Sequence, residues 1–172
     1  MRTTIAPKLR SAGLIILLTL TVGCDQLSKH IARTALSPAH SVSLSGGLVE
    51  LKLAENPGSF LSLGGLLPES YRFAVFTVGV GFGMLALFAY LTSRPGIDMR
   101  HFIGLSFVLA GGMSNVLERV FRHGLVTDFV TIHIGPFHTG VFNWADVLIL
   151  VGSALLVWRL QRGTSDRPTS RM

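Results

Sequence analysis

The chain has 172 residues, of which 49% are hydrophobic and 14% are charged, and its formal net charge is +6. An ordinary soluble domain carries about 25% charged residues, so this composition excludes a soluble globular protein and predicts one integral-membrane domain. The sequence contains no long basic run interleaved with aromatic residues, so we expect no nucleic-acid partner. It has a single cysteine, Cys24, which excludes an internal disulfide.

Four apolar stretches predict an all-α membrane bundle of four transmembrane helices. They lie near residues 12–24, 73–91, 102–117 and 141–158. A helix needs about 20 residues to cross the hydrocarbon, so the first and third stretches must include polar residues at one end. Basic residues before the first span, between the second and third and after the fourth predict that both termini are cytoplasmic. These basic residues are Arg2, Lys8, Arg10, Arg94, Arg100, Arg159, Arg162, Arg167 and Arg171.

The two longer connections between spans are predicted to lie outside the cytoplasm and to form a small extracytoplasmic β-sheet. Residues 42–53 alternate apolar and polar side chains on both sides of a Gly-Gly turn, and residues 126–134 alternate likewise. A period of two is typical of strands. Residues 29–35 are predicted to form a short interfacial helix. Residues 1–162 are then a single domain, and the polar residues 163–172 are predicted to be a disordered cytoplasmic tail.

Two aspartates stand in apolar sequence, where burial of an ionised carboxylate costs free energy. Asp128 lies in VTDFV, and Asp146 opens the fourth span; an ionisable residue in such a span indicates a functional site. Two carboxylates held together cannot both ionise easily, so one stays protonated and the pair supplies both an acid and a base. The simpler interpretation is that Asp128 caps a turn and Asp146 stabilises a helix N-terminus.

Further polar residues stand at the outer ends of the predicted spans. Asp25 with Lys29, and Asn115 with Arg119, are spaced i,i+4, so each pair shares one helix face. Asn143 stands three residues before the aspartate of the fourth span. Because a polar side chain in hydrocarbon needs a protein or water partner, these faces are predicted to point into the bundle, beside the two aspartates.

These segments together resemble those of the lipoprotein signal peptidases, or signal peptidase II, a family of integral-membrane aspartic peptidases. In family order they are DQLSK at 25–29, NPGSF at 56–60, GGMSNVLER at 111–119, GLVTDF at 124–129 and FNWAD at 142–146. The resemblance implies an aspartic endopeptidase that removes the signal peptide from diacylglyceryl-modified prolipoproteins. It would cleave on the amino side of the lipidated cysteine.

The resemblance also implies roles for individual residues and a location. Asp128 and Asp146 would be the catalytic dyad, on the extracytoplasmic face of the bacterial inner membrane at headgroup depth. The residues implied to bind substrate or support the site are Asp25, Lys29, Asn56, Gly58, Asn115, Glu118, Arg119, Asn143 and Ala145. We expect lipidated prolipoproteins and membrane lipid as partners, and a monomeric enzyme.

The chain departs from the usual motifs of the family at three points. Glu118 stands where an aspartate is usual, Ser114 stands where a glycine is usual, and the loop after Asn56 is one residue shorter than N-x-G-x-x-F. The extra methylene of Glu118 is expected to change a hydrogen bond to a neighbouring group. A non-catalytic or weakly active homologue therefore stays open as an alternative.

Other functions fit the sequence less well. A proton-coupled carrier needs ionisable residues along a path through the bilayer, whereas here they stop at the outer side. A lipoprotein acylated at Cys24 would not be expected to contain three further spans. A serine-lysine peptidase fails because Ser28 and Lys29 are adjacent on a helix and do not face each other. The six histidines show no H-E-x-x-H spacing, so we expect no metal and no cofactor.

Overall fold

The fold consists of a helical bundle with a small sheet, and the computed structural model describes residues 7–58, 67–94 and 96–165. Within these ranges the long helices are α1 (Pro7–Ala35), α2 (Glu69–Ser93), α3 (Met99–Phe121) and α4 (Trp144–Ser165). The strands are β1 (Val42–Leu44), β2 (Val49–Asn56), β3 (Val126–Ile134) and β4 (Phe137–His138). The predicted helical bundle and small sheet are confirmed, and β3 has the predicted bounds.

Two of the helices are long and apolar enough to cross a membrane, namely Lys8–Ala35 of α1 and the whole of α2. The α4 helix contains a shorter apolar stretch, Trp144–Trp158. Large apolar side chains on the outside of the bundle are exposed, including Ile16 at 59% and Phe82 at 69%. Extended exposed apolar surface of this kind marks a face that contacts lipid or another protein.

The first helix is longer than predicted, and the prediction of a separate interfacial helix is wrong. The α1 helix runs without interruption to Ala35, so residues 29–35 are its last turns. The polar residues Asp25 and Lys29 do not end the helix, because both side chains are buried against the bundle and have partners there. Cys24 lies inside this continuous helix and its side chain is exposed.

Two sequence predictions fall partly outside the described residues. The α4 helix continues to Ser165, so the first three residues of the predicted tail at 163–172 are helical, and the others lie outside the described ranges. The shortened loop after Asn56 is described only through Gly58, so Ser59 and Phe60 also lie outside.

The four strands form one antiparallel sheet in the order β1-β2-β3-β4. Gly46 and Gly47 turn the chain between β1 and β2 with φ angles of 67° and 94°, which glycine adopts without steric cost. The two strands predicted on either side of the Gly-Gly turn are therefore confirmed, and β2 extends to Asn56. In the β2–β3 register Asn56 pairs with Val126 and Ala54 pairs with Asp128, which places Asn56 close to Asp128.

The α3 and α4 helices pack closely because glycines line their contact. A Cβ atom on Gly111 would overlap the carbonyl oxygen of Ala145, and one on Gly152 would lie 2.5 Å from the carbonyl oxygen of Gly104. Small residues allow helix backbones to approach in this way. The first turn of α4 is consequently held against the part of α3 that carries Asn115.

Candidate active site

The two aspartates meet where β3 approaches the start of α4, and Asn143 joins them. Asn143 Nδ2 donates to Asp128 Oδ1 at 2.6 Å. The backbone N–H of Asn143 donates to Asp146 Oδ2, and the backbone N–H of Asp146 donates to Asn143 Oδ1, both at 3.1 Å. This reciprocal pair is a capping box. The side chain of the N-cap residue and that of the residue three positions later each accept the other's backbone N–H.

Two more asparagines complete the contacts of the carboxylates. Asn56 Nδ2 donates to Asp128 Oδ2 at 3.0 Å, and Asn115 Nδ2 donates to Asp146 Oδ1 at 3.0 Å. Each of the four carboxylate oxygens therefore accepts one N–H group. The orientation of both aspartates is fixed by residues from three different elements, β2, α3 and the cap of α4.

The protonation of Asp128 is set mainly by its burial. The side chain is almost wholly buried. Burial first, and then the nearby charge of Asp146, raise the pKa of Asp128 to about 6, against the opposing effect of the hydrogen bonds from Asn56 and Asn143. Burial and a like charge both disfavour an ionised carboxyl. One proton is therefore held by this site at a pH where an isolated aspartate has lost it.

Lys29 lies beneath the dyad as a fully buried cation. Its Nζ contacts Asp25 Oδ2 at 2.8 Å, Glu118 Oε2 at 3.0 Å and Asn115 Oδ1 at 2.7 Å. The ammonium group donates a hydrogen bond to the amide oxygen of Asn115, and it forms ion pairs with both carboxylates. Because Lys29 takes the amide oxygen of Asn115, the amide nitrogen is left to face Asp146.

Asp25 connects α1 to both helices that form the site. Its Oδ1 accepts the backbone N–H of Ala145 at 2.9 Å, and its Oδ2 accepts the hydroxyl of Ser114 at 2.6 Å. Ala145 thus contributes its main chain and not its side chain. Ser114, which replaces the usual glycine, gives Asp25 a hydrogen bond that a glycine would not provide, and Gln26 Nε2 in turn donates to Ser114 Oγ at 2.9 Å.

Glu118 is buried and joins three elements. Its Oε1 accepts from Arg33 Nη1 at 2.8 Å and from the hydroxyl of Thr127 at 2.6 Å, while its other oxygen contacts Lys29. The extra methylene relative to aspartate therefore does not remove its partners. Sequence reasoning missed Arg33 and Thr127, although the i,i+4 spacing of Arg33 from Lys29 was a signal that they share a face.

Gly58 and Arg119 lie at the edge of this cluster. Gly58 has a φ of 102°, and a Cβ atom there would lie 2.6 Å from the Phe76 ring, so both backbone and space require glycine. Its N–H donates to Asn56 Oδ1 at 3.0 Å, which turns the amide nitrogen of Asn56 towards Asp128. Arg119 is partly buried and interacts electrostatically with both aspartates.

The structure thus brings the residues predicted from the sequence into one cluster at the sheet end of the bundle. Among the residues that the structure describes, no group of three or more His, Cys, Asp or Glu is placed to hold a metal ion. The arrangement offers two oriented carboxyls, one of which retains a proton. Such a pair can act as the general base and the general acid of a hydrolysis reaction.

Comparison with known families agrees with this chemistry. The family model described as signal peptidase (SPase) II matches residues 16–162. The chain belongs to the signal peptidase II family. As a signal peptidase II it is an aspartic peptidase and a lipoprotein signal peptidase, as the sequence predicted.

Individual relatives cover most of the chain. It is 34% identical over 147 residues to a lipoprotein signal peptidase of Moorella thermoacetica, covering 85% of this chain and 91% of the relative. It is 34% identical over 152 residues to a lipoprotein signal peptidase of Coxiella burnetii, covering 87% of this chain and 90% of the relative. A solved bacterial membrane enzyme superimposes with a TM-score of 0.77 at 22% identity, with 94% of each chain covered. This last likeness shows that the signal peptidase II chain has the fold of a membrane enzyme.

Proposed function

We propose that this chain removes the signal peptide from diacylglyceryl-modified prolipoproteins by cleaving on the amino side of the lipidated cysteine, with Asp128 and Asp146 as its catalytic dyad. The observation that carries the proposal is the bridge through Asn143, which bonds Asp128 by its amide and Asp146 by its backbone N–H. An asparagine that binds both carboxylates fixes their relative position.

The chemistry follows from the different protonation of two neighbouring carboxyls. The ionised one takes a proton from a water molecule while the water oxygen attacks the scissile carbonyl carbon. The protonated one hydrogen-bonds the carbonyl oxygen and afterwards supplies a proton to the leaving amine as the C–N bond breaks. The pair titrates as a unit, so the proton belongs to the dyad. The neighbouring asparagines and Lys29 hold the carboxyls in place and take no part in bond making.

The same proposal includes a topology. We infer four transmembrane helices, both termini in the cytoplasm, and the sheet with the dyad on the extracytoplasmic face of the bacterial inner membrane. The asymmetric distribution of basic residues supports it, as do the exposed apolar side chains of α1 and α2. At this depth water reaches Asp146, whose side chain is only partly buried, while the helices shield the signal peptide.

The rival functions find less support in the structure. A proton-coupled carrier needs a polar path, whereas the bundle away from the sheet is packed with the buried apolar side chains of Leu14, Leu91, Phe102 and Leu109. The hydroxyl of Ser28 donates to the backbone oxygen of Asp25 at 2.7 Å, which is not an arrangement for a nucleophile. Cleavage before Cys24 would divide α1 and remove the helical residues that precede Asp25.

The proposal is tested with the purified protein in lipid and two forms of one prolipoprotein, with and without the diacylglyceryl group. We expect cleavage of the modified form only, and mass spectrometry of the product should show the lipidated cysteine as its first residue. Failure to cleave, or cleavage at another bond, would show that the chain is an inactive or differently specific homologue.

The pH dependence of the reaction follows from the pKa of Asp128, which burial and Asp146 raise to about 6. Hydrolysis needs one proton on the pair. The value of kcat/KM is therefore expected to fall as the pH rises above about 6, with a slope that approaches tenfold per pH unit once the proton is lost. The measurement is kcat/KM from about pH 5 to about pH 8; a flat profile over this range would argue against a shared proton.

A further inference from the structure

Thr77 is a buried hydroxyl without a partner in the middle of an apolar helix. Its side chain is 4% exposed. Of the buried side-chain nitrogen and oxygen atoms in the described residues, those without a hydrogen-bond partner are Thr77 Oγ1, Arg119 Nε and Glu118 Oε2. Lys29 Nζ lies 3.0 Å from the Glu118 oxygen, so this atom is compensated by an ion pair. The other two atoms need an explanation, because an unpaired buried polar group is unfavourable.

The local form of α2 explains why Thr77 has no partner within its own helix. Hydroxyls in helices usually donate to the carbonyl four residues earlier, as Thr21, Thr92 and Ser106 do here at 2.7, 2.9 and 2.6 Å. Thr77, however, lies in the π-helical segment Ala74–Gly79 of α2. Wider turns of this kind occur frequently at functional sites, and this one turns the hydroxyl inward without satisfying it.

The packing of α2 on α3 places Thr77 at the level of Arg119. A Cβ atom on Gly81 would lie 3.5 Å from Val116 Cγ1, and Gly112 faces Met84. The two helices are antiparallel, so the same register continued by one turn brings Thr77 to the level of the turn of α3 that contains Arg119. The neighbouring Phe76 packs against Gly58, next to Asn56, which binds Asp128. The two unpaired groups therefore lie on neighbouring helices, near the contacts that hold Asp128.

The chemistry of the two groups defines what they would bind. An arginine Nε is a donor only, so the common ligand must be an acceptor. A signal peptide supplies such acceptors, because the last four carbonyl groups of a helix have no partner within it, and in hydrocarbon each unpaired group is costly. The end of the signal helix must be unwound for its scissile bond to reach the dyad, which leaves these carbonyls free.

We propose that Thr77 is a substrate-binding residue whose hydroxyl donates to a main-chain carbonyl oxygen of the signal peptide, ahead of the scissile bond, beside Arg119. This inference rests on the proposed function for its substrate. The buried hydroxyl is left unpaired in the free enzyme and gains its partner when the substrate binds.

The test uses Thr77→Val, which removes the hydroxyl at constant shape, Thr77→Ser, which keeps it, and Thr92→Val as a control on the same helix. We expect Thr77→Val to lower kcat/KM for the diacylglyceryl-modified prolipoprotein about threefold to tenfold, the value of one hydrogen bond. Its Tm should equal or exceed that of the wild type, because no hydrogen bond is lost in the free enzyme. Thr77→Ser and Thr92→Val should retain kcat/KM.

A purely structural role for Thr77 would give a different pattern, in which Thr77→Val lowers Tm and leaves kcat/KM unchanged, and this result would overturn the proposal. Binding of the same prolipoprotein is also measured in the Asp146→Asn background, where it is not cleaved. Weaker binding on addition of Thr77→Val supports the role of Thr77 even if the wild type fails to cleave. Unchanged binding there contradicts it, whatever the outcome for the proposed function.

Discussion

Asp128→Asn and Asp146→Asn are each expected to abolish cleavage of the diacylglyceryl-modified prolipoprotein. Each removes either the base or the acid of the dyad, and a positioned acid or base contributes about 10²-fold to 10⁴-fold to the rate. The second carboxyl cannot replace the first, because a single group cannot both accept the proton of the water and already carry one for the carbonyl oxygen. Each variant is therefore expected to cleave about 10²-fold to 10⁴-fold more slowly, and a time course with mass-spectrometric detection should show no product on the time scale of the wild type.

The control for these variants is Asp98→Asn, which makes the same chemical change away from the sheet. Asp98 caps α3 by accepting the backbone N–H of Arg100 at 3.1 Å, and asparagine caps a helix about as well. Its activity and Tm should match the wild type. Thermal unfolding in detergent checks that the dyad variants fold. Substantial cleavage by both single dyad variants would remove Asp128 and Asp146 from the mechanism.

Lys29→Met is expected to cause the largest loss of stability among single changes near the site. Methionine fills a similar volume, but Asp25 and Glu118 then remain buried without their shared cation. Breaking a buried pair by removing one partner costs about 3–5 kcal/mol. The amide of Asn115 also loses the contact that orients it towards Asp146, so we expect cleavage to fail together with stability. The measurements are the Tm and the cleavage rate of the reconstituted protein.

Two further variants test whether the loss of stability comes from the buried ion pairs or from the removal of a lysine as such. Lys52→Met changes an exposed residue of β2 and should leave Tm unchanged. Asp25→Asn in the Lys29→Met background removes the carboxylate whose ion pair with Lys29 is lost, and it should recover part of the lost stability, a coupling that a double-mutant cycle measures. Equal Tm values for Lys29→Met and the wild type would show that the buried ions do not depend on each other.

The sequence indicated which residues lie in the candidate site better than it indicated the contacts between them. Alternation alone predicted β3 with its bounds, and the cost of a carboxylate in apolar sequence indicated Asp128 and Asp146. The end of α1 was predicted wrongly, because Asp25 and Lys29 are read from sequence as the polar end of a span. Their partners lie on α3 and α4, and only the packing of the helices shows that burial there is tolerated.

Contacts made by main-chain atoms and by distant side chains could not be predicted. Ala145 carries no chemistry in its side chain, and its role depends on the N–H that it presents to Asp25. Arg33 and Thr127 meet at Glu118 only because the last turns of α1 reach the start of β3. The periodicity of the sequence does not predict that these two elements are close in space. The helical spacing of Arg33 and Lys29 identified a shared face but not what that face contacts.

The hydrogen bond from the Ala145 N–H to Asp25 has a consequence for biogenesis. It joins residues 120 positions apart in the chain, one on α1 and the other at the start of α4, which is synthesised later. The carboxylate that supports the first turn of α4 is thus already in the membrane before α4 is translated. A nascent chain carries only Asp128 of the proposed dyad until α4 inserts, so we expect proteolytic activity only after α4 has been synthesised.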